Sequence, residues 1–359
     1  MAGWTISTCQ ACGFAIRKVV PFLLVASSLL PVLSAFAAEG SVGFAHPIGI
    51  LPDGTLILGM YGNSDASAVL SSPRWSRIDQ VLEFNANAFP QRNPETVIVD
   101  SVSSVTSSAD RTLHGFGCKS GVIWLWHSTS DTKERLAGHD APVSCIDWGP
   151  GAPSFVSGSL DGQFLAWTKV EGDWKPTNLG KQAGGARAVA ISPTGQRVAT
   201  AGERSPVQVR PIDGSKPAKT FSPQEGIVTG LIFLDDELLA VSDSRNHISI
   251  WNTSTAELVR VIRRAHHGTI RNLVPIDNAS GRLMTTGNDG SLRLWNWNTG
   301  EQLDEVWLSC GMINSALFDH EKQLLYLTSV NDGLMMIEVK EDNLAEIKNF
   351  PEPVLEEEP

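Results

Sequence analysis

A chain of 359 residues, 42% hydrophobic, with 32 Gly and 20 Pro, has a globular composition, which excludes collagen-like and wholly disordered classes. Its formal net charge of −11 argues against nucleic acid as a partner, because clustered Lys and Arg supply most of that affinity. The densest basic group is Arg260, Arg263 and Arg264, too small for such a footprint.

Residues 1–38 read as a signal peptide. Arg17 and Lys18 precede an uncharged apolar run from Val19 to Ala38 that ends in the small residues of "AFAAEG". Cleavage is expected near Ala37 or Ala38, which places the mature chain in a periplasmic or secreted setting. The alternative is an uncleaved anchor, weakened by Pro21 and Pro31; membrane contact is expected only in that case. Cys9 and Cys12 fall inside this leader. Cys118, Cys145 and Cys310 allow one bridge and one free thiol, but Cys118 and Cys145 lie in strand-like runs and read as buried free thiols.

Beyond the leader one pattern recurs. "FVSGSLDGQFLAW" (155–167) alternates apolar and polar, turns on Asp-Gly and alternates again into Trp167. "SGVIWLW" ends likewise at Trp126, "NHISIW" at Trp251 and "DGSLRLW" at Trp295. Equivalent slots fall near Phe84 and at Arg210 and Glu338, so the markers stand roughly 42 residues apart. Each is preceded by a strand–turn–strand segment and followed by a fourth short run, such as "KERLAG" or "LVRVIRR". Seven units of four antiparallel strands cannot bury both faces singly. Radial stacking buries them, which predicts an all-β, seven-bladed β-propeller over 39–350. In the first unit, "GFAHPIGILPDGTLILGMYG" supplies two strands, "NSDASAVLSSPRWSRID" reads as a surface loop and "QVLEF" as the next strand. The ring can close through "LAEIKNF" as the last outer strand, or through "EGSVGF" clipping the ends together. Residues 351–359 read as an acidic disordered tail.

With Gly138-His139 ahead of the Asp161-Gly162 turn and Trp167, and Ala265-His266 ahead of Asp289-Gly290 and Trp295, the chain resembles the WD40-repeat family, with degenerate repeats. The resemblance implies hydrogen-bonded tetrads of structural residues: His139, Ser157, Asp161 and Trp167 in blade 3, and His266, Thr285, Asp289 and Trp295 in blade 6. In blade 3, Asp161 would accept from the His139 imidazole and Ser157 would accept from the Trp167 indole, pinning the strands in register. The pattern is broken elsewhere. Ser120 and Arg245 replace the turn Asp, blade 7 has Asp332-Gly333 but no Trp, and Asn252 and Asn296 follow their Trp where the family has Asp.

Chemistry is sparse. There is no nucleophile elbow and no phosphate-binding lysine loop; adjacent His266 and His267 point to opposite strand faces and cannot chelate together. Asp235-Asp236-Glu237 reads as a solvated turn rather than a calcium loop. No catalytic residue, cofactor or metal is expected. The reading is a non-catalytic scaffold that binds another protein in an exported compartment, in a narrower form an accessory subunit of an envelope or respiratory complex. The alternative is an exported propeller enzyme or a carbohydrate- or ligand-binding propeller. Arg74, Trp75, Trp174, Arg204 and Arg245 are the candidate partner-binding anchors, since aromatic and Arg side chains dominate interface energetics.

Overall fold

The computed structural model describes residues 45–53, 55–60, 68–71, 78–82, 100–149, 154–221, 226–277, 279–308, 311–329, 333–340 and 343–347. The expected leader (1–38), the acidic tail (351–359), Phe84, Cys310, Asp332, Arg74 and Trp75 lie outside the described residues.

Within them the chain forms seven four-stranded antiparallel sheets, each built from four consecutive strands. Blade 1 holds β1 (Ala45–Ile50), β2 (Leu56–Met60), β3 (Ala68–Ser71) and β4 (Ile78–Leu82), and blade 2 holds β5 (Val102–Ser107), β6 (Leu113–Cys118), β7 (Val122–His127) and β8 (Thr132–Ala137). Blade 3 follows with β9 (Val143–Trp148), β10 (Ser154–Ser159), β11 (Gln163–Val170) and β12 (Asp173–Lys181), and blade 4 with β13 (Ala186–Ile191), β14 (Arg197–Gly202), β15 (Val207–Pro211) and β16 (Lys219–Phe221). Blade 5 contains β17 (Val228–Phe233), β18 (Leu238–Asp243), β19 (Ile248–Asn252) and β20 (Glu257–Ile262), and blade 6 β21 (Ile270–Asp277), β22 (Arg282–Gly287), β23 (Ser291–Asn296) and β24 (Glu301–Trp307). Blade 7 ends the ring with β25 (Ile313–Asp319), β26 (Leu324–Ser329), β27 (Gly333–Lys340) and β28 (Asn343–Ile347).

The first strand of each blade contacts its counterpart in the next, so β1, β5, β9, β13, β17, β21 and β25 line the axis. Second strands lie sandwiched between neighbouring blades and are enclosed; β10 is buried at all six positions. That is why their sequences are runs of small and apolar residues. Outer strands meet water on one face and alternate accordingly, as in "TKERLA" of β8. The apolar core is therefore distributed. One buried cluster sits between blades 2 and 3 (Ile123, Leu125, Phe155, Trp167), another between blades 4 and 5 and another between blades 6 and 7. A Cβ on Gly158 would stand 2.7 Å from the Ala186 Cβ of blade 4, so only glycine permits that inter-blade approach. Gly162 closes the Asp-Gly turn at φ 86°, a region that L side chains avoid.

Two expectations are corrected here. In blade 1 the third strand is Ala68–Ser71, inside the stretch read as a loop, and Gln80–Leu82 of "QVLEF" belong to the fourth strand, β4. "AVLS" is too short and too plain to stand out by alternation, so the marker slot near Phe84 was misplaced. Trp174, a candidate anchor and so expected on an exposed loop, lies in β12. Pairing from Gln163↔Lys181 to Val170↔Asp173 carries this hairpin well past the ordinary blade length. The "LAEIKNF" segment supplies the last outer strand, β28, paired to β27 with Val339↔Leu344 and Lys340↔Asn343, while "EGSVGF" (39–44) lies outside the described residues. Blade 1 then meets blade 7 through β1 against β25 and β26, without exchanging a strand between the described blades.

Candidate functional site

The His, Ser and Asp side chains that could suggest hydrolysis are locked in the framework. In blade 6, His266 Nδ1 donates to Asp289 Oδ1 at 3.1 Å, which leaves Nε2 to accept from the Thr285 hydroxyl at 2.7 Å. Thr285 Oγ1 in turn accepts from the Trp295 indole at 2.9 Å. Asp289 also takes the Ser291 hydroxyl (2.8 Å) and the His267 backbone N–H (2.7 Å). Burial alone would raise the Asp289 carboxyl; the His266 hydrogen bond and charge, with Ser291, outweigh it and hold the group well below the usual carboxylate range.

Blade 3 departs from the expected tetrad. Ser157 Oγ accepts from Trp167 Nε1 at 2.8 Å and lies 2.7 Å from His139 Nε2. The Asp161 link is not made. Among the described residues His139 Nδ1 has no hydrogen-bond partner, and the Asp161 carboxylate accepts from the Gln163 N–H (3.0 Å) and Lys181 Nζ (3.2 Å). Blade 6 has Ser291 after its Asp-Gly turn to hold the aspartate inward; blade 3 has Gln163, and the outer-strand Lys181 draws Asp161 outward. Burial lowers the His139 pKa, so the imidazole stays neutral.

Degenerate blades solve the same problem with other residues. Blade 2 reverses the roles, with Asp100 ahead of the inner strand accepting from the backbone N–H and hydroxyl of Ser120 in the turn. In blade 4, Gln182 replaces the histidine, donating to Thr200 Oγ1 at 2.7 Å and accepting from the Gly202 N–H at 2.7 Å. Blade 5 ties Trp251 to Ser249 Oγ at 2.9 Å. Cys118 and Cys145 are free thiols.

Asp147 of β9 spans blades 3 and 4, accepting from the Ile191 N–H at 2.8 Å. Burial pushes its carboxyl up to about 6, against the backbone N–H groups of Ile191 and Trp148. A folded-state pKa above the unfolded value means that protonation favours the fold. The advantage is full at low pH and is lost as pH rises through about 6. Asp147→Asn is therefore expected to raise the melting temperature at pH 7.5, by the equivalent of about 1–2 kcal/mol, and to gain little at pH 4.5. Paired thermal melts check both.

The inner strands enclose an axial channel of about 580 Å³. Its described lining is polar and apolar by turns, with Ser103, Ser144, Asn314, Arg187 and Arg271 among it, and contains neither a carboxylate nor a histidine. Among the described residues no group of three His, Cys, Asp or Glu is placed to hold a metal.

Of the anticipated anchors, Arg204 and Arg245 are exposed in the β14–β15 and β18–β19 turns, at the end of the propeller where the connections between blades also lie. Trp174 is not exposed. It is buried against Trp148 (5.5 Å) and Phe155 (5.2 Å), with Lys169 Nζ 5.9 Å from its ring. Its place is fixed by strand alternation along the long β11–β12 hairpin, which turns it inward. Sequence reasoning missed the exposed apolar side chains at the same end: Leu160, Ile227, Trp307 and Met312. Trp307, 52% exposed, stacks on His267 at 6.2 Å, and Arg293 lies 5.9 Å from its ring. Its position at the end of an outer strand, outside the marker series, was the signal available.

Comparison with known proteins agrees with this architecture. The family model described as "WD domain, G-beta repeat" matches residues 130–168 and 257–296, the two segments that carry His139–Trp167 and His266–Trp295. WD repeat-containing protein 55 of Pongo abelii is 26% identical over 170 residues, 46% of this chain and 44% of that protein. Guanine nucleotide-binding protein subunit beta-1 of Nicotiana tabacum is 27% identical over 198 residues, 51% and 52% respectively. The chain thus spans about half the length of these curated relatives. Among solved structures, the RRP9 WD40 repeats superpose with a TM-score of 0.70 at 18% identity, covering 84% of this chain and 96% of that one. A chain of the mitotic checkpoint complex gives 0.68 at 17%, covering 83% and 90%. Seven four-stranded blades make the chain a seven-bladed β-propeller, and the repeat matches in blades 3 and 6 make it similar to WD40-repeat proteins.

Proposed function

We propose that this protein is a non-catalytic scaffold that binds another protein, and that it works as an accessory subunit of a larger assembly in an exported compartment. WD40 propellers are typically interaction scaffolds, and fold alone does not select a chemistry. The carrying observation is the set of exposed apolar side chains, Leu160, Ile227, Trp307 and Met312, gathered at one end of the propeller. Exposed large apolar groups collected on one face of a monomer mark interaction sites. His266, Thr285 and Asp289 in blade 6, and His139 and Ser157 in blade 3, are consumed in buried structural hydrogen bonds, and the described channel lining offers no acid–base pair. The apolar leader, which ends in small residues, supports the exported setting.

Immunoprecipitation of the tagged full chain from its native source, read by mass spectrometry, tests this. A reproducible partner is expected with wild type and is expected to fall by about tenfold with Trp307→Ala. The same spectra are expected to contain no peptide from upstream of Ala38. Equal recovery by the variant moves the interface elsewhere, and no partner at all sinks the scaffold reading.

A further inference from the structure

Each of the six inner strands from β5 to β25 carries an irregularity at its second residue, where the register with the second strand skips one position. The skipped residues are Ser103, Ser144, Arg187, Thr229, Arg271 and Asn314, and all but Thr229 line the channel. A bulge re-aims one side chain out of the sheet; here it builds a ring of polar groups around the mouth.

In blades 2 and 3 the ring residue ties neighbouring blades together. Ser103 Oγ donates to the Val143 carbonyl of blade 3, and Ser144 Oγ donates to the Ala186 carbonyl of blade 4 at 2.8 Å. Arg187 and Arg271 do nothing comparable. Arg271 Nε donates to Asn288 Oδ1 at 2.7 Å, which orients the guanidinium and leaves its terminal nitrogens unused by that bond. Arg187 is exposed and makes no hydrogen bond or ion pair among the described residues. No described carboxylate lines the channel to neutralise either cation. This concentration of positive charge stands out in a chain of net charge −11. Arg204 and Ile227 share a neighbouring hollow of about 400 Å³ between blades 4 and 5, which Glu203 also lines, and Arg245 is exposed in the next turn. The sector from blade 4 to blade 6 therefore joins guanidinium groups to exposed apolar surface.

We propose that this sector of the channel mouth docks an acidic peptide segment of a partner protein, its carboxylates held by Arg187 and Arg271 and its apolar residues laid against Ile227. Guanidinium forks match carboxylates bidentately, and the open mouth with flanking apolar surface suits a chain segment better than an enclosed small anion. This rests on the scaffold reading and adds the partner's chemistry and its seat.

The test is fluorescence anisotropy of the full chain with a fluorescein-labelled hexaglutamate peptide at low ionic strength. Saturable binding that weakens with salt is expected. Arg187→Glu/Arg271→Glu is expected to weaken it at least about tenfold, Arg187→Lys/Arg271→Lys to retain most of it, and Lys133→Ala, on the distant outer strand β8, to leave it unchanged. Circular dichroism melts confirm that the variants fold. No binding by wild type, equal binding by the charge-reversed pair, or full displacement by equimolar inorganic phosphate overturns the proposal. If hexaglutamate fails while a cellular partner is still lost with Trp307→Ala, the acidic-segment inference falls and the scaffold reading stands. If hexaglutamate binds as expected but no cellular partner is recovered, the site stands and the scaffold reading falls.

Discussion

Asp289→Ala is expected to cost about 3–5 kcal/mol of unfolding free energy at pH 7, whereas Asp161→Ala costs about 0.5–1 kcal/mol. The two aspartates occupy the same turn position in blades 6 and 3, yet their surroundings differ. Asp289 receives His266 Nδ1, the Ser291 hydroxyl and the His267 backbone N–H, and His266 is buried. Removing the carboxylate strands the His266 and Ser291 donors, both of which are buried. Asp161 accepts from one backbone N–H and from Lys181, whose side chain is 65% exposed, so solvent replaces both cheaply. Urea titrations of the two variants give the comparison. Similar costs would show that blade 3 also closes its chain through His139. The Asp289 carboxyl is held below its ordinary value, so its contribution is present above the unfolded pKa and is lost as pH falls. The gap between Asp289→Ala and wild type is accordingly expected to narrow in acid.

Trp167→Ala is expected to be at least as damaging, about 3–5 kcal/mol, with Trp167→Phe near half of that. The indole is 1% exposed, stacks on Phe155 at 5.8 Å and fills the space between blades 2 and 3. Truncation opens a cavity that the rigid hairpin pair cannot collapse into, and it also removes the donor to Ser157 Oγ. Phenylalanine keeps the stacking and loses the donor and part of the volume. The midpoint of chemical denaturation separates the two variants. A loss below about 1 kcal/mol for alanine would mean that this interface is loosely packed.

Much of the fold was legible in the chain. Tryptophans at the ends of third strands, Asp-Gly turns and period-2 runs placed six of the seven blades, because strand alternation and tight turns are local properties. The blade 1 error marks the boundary: "AVLS" pairs as a strand only because β2 and β4 flank it, and four residues carry too little pattern to announce that. The site was less legible. Arg204 and Arg245 were found because turns expose what they carry, while Trp174 was misjudged because the length of its hairpin depends on pairing across two strands.

Repeat spacing and alternation are written along the chain, and they are enough to specify how many sheets form and where most of their strands lie. That Asp289 meets its histidine while Asp161 does not, that Trp174 faces inward, and that Arg187 and Arg271 share one channel mouth emerge only once the blades are assembled. Those outcomes depend on side chains brought together from different strands and blades, and on a one-residue bulge that turns a side chain toward the axis. No local period encodes either.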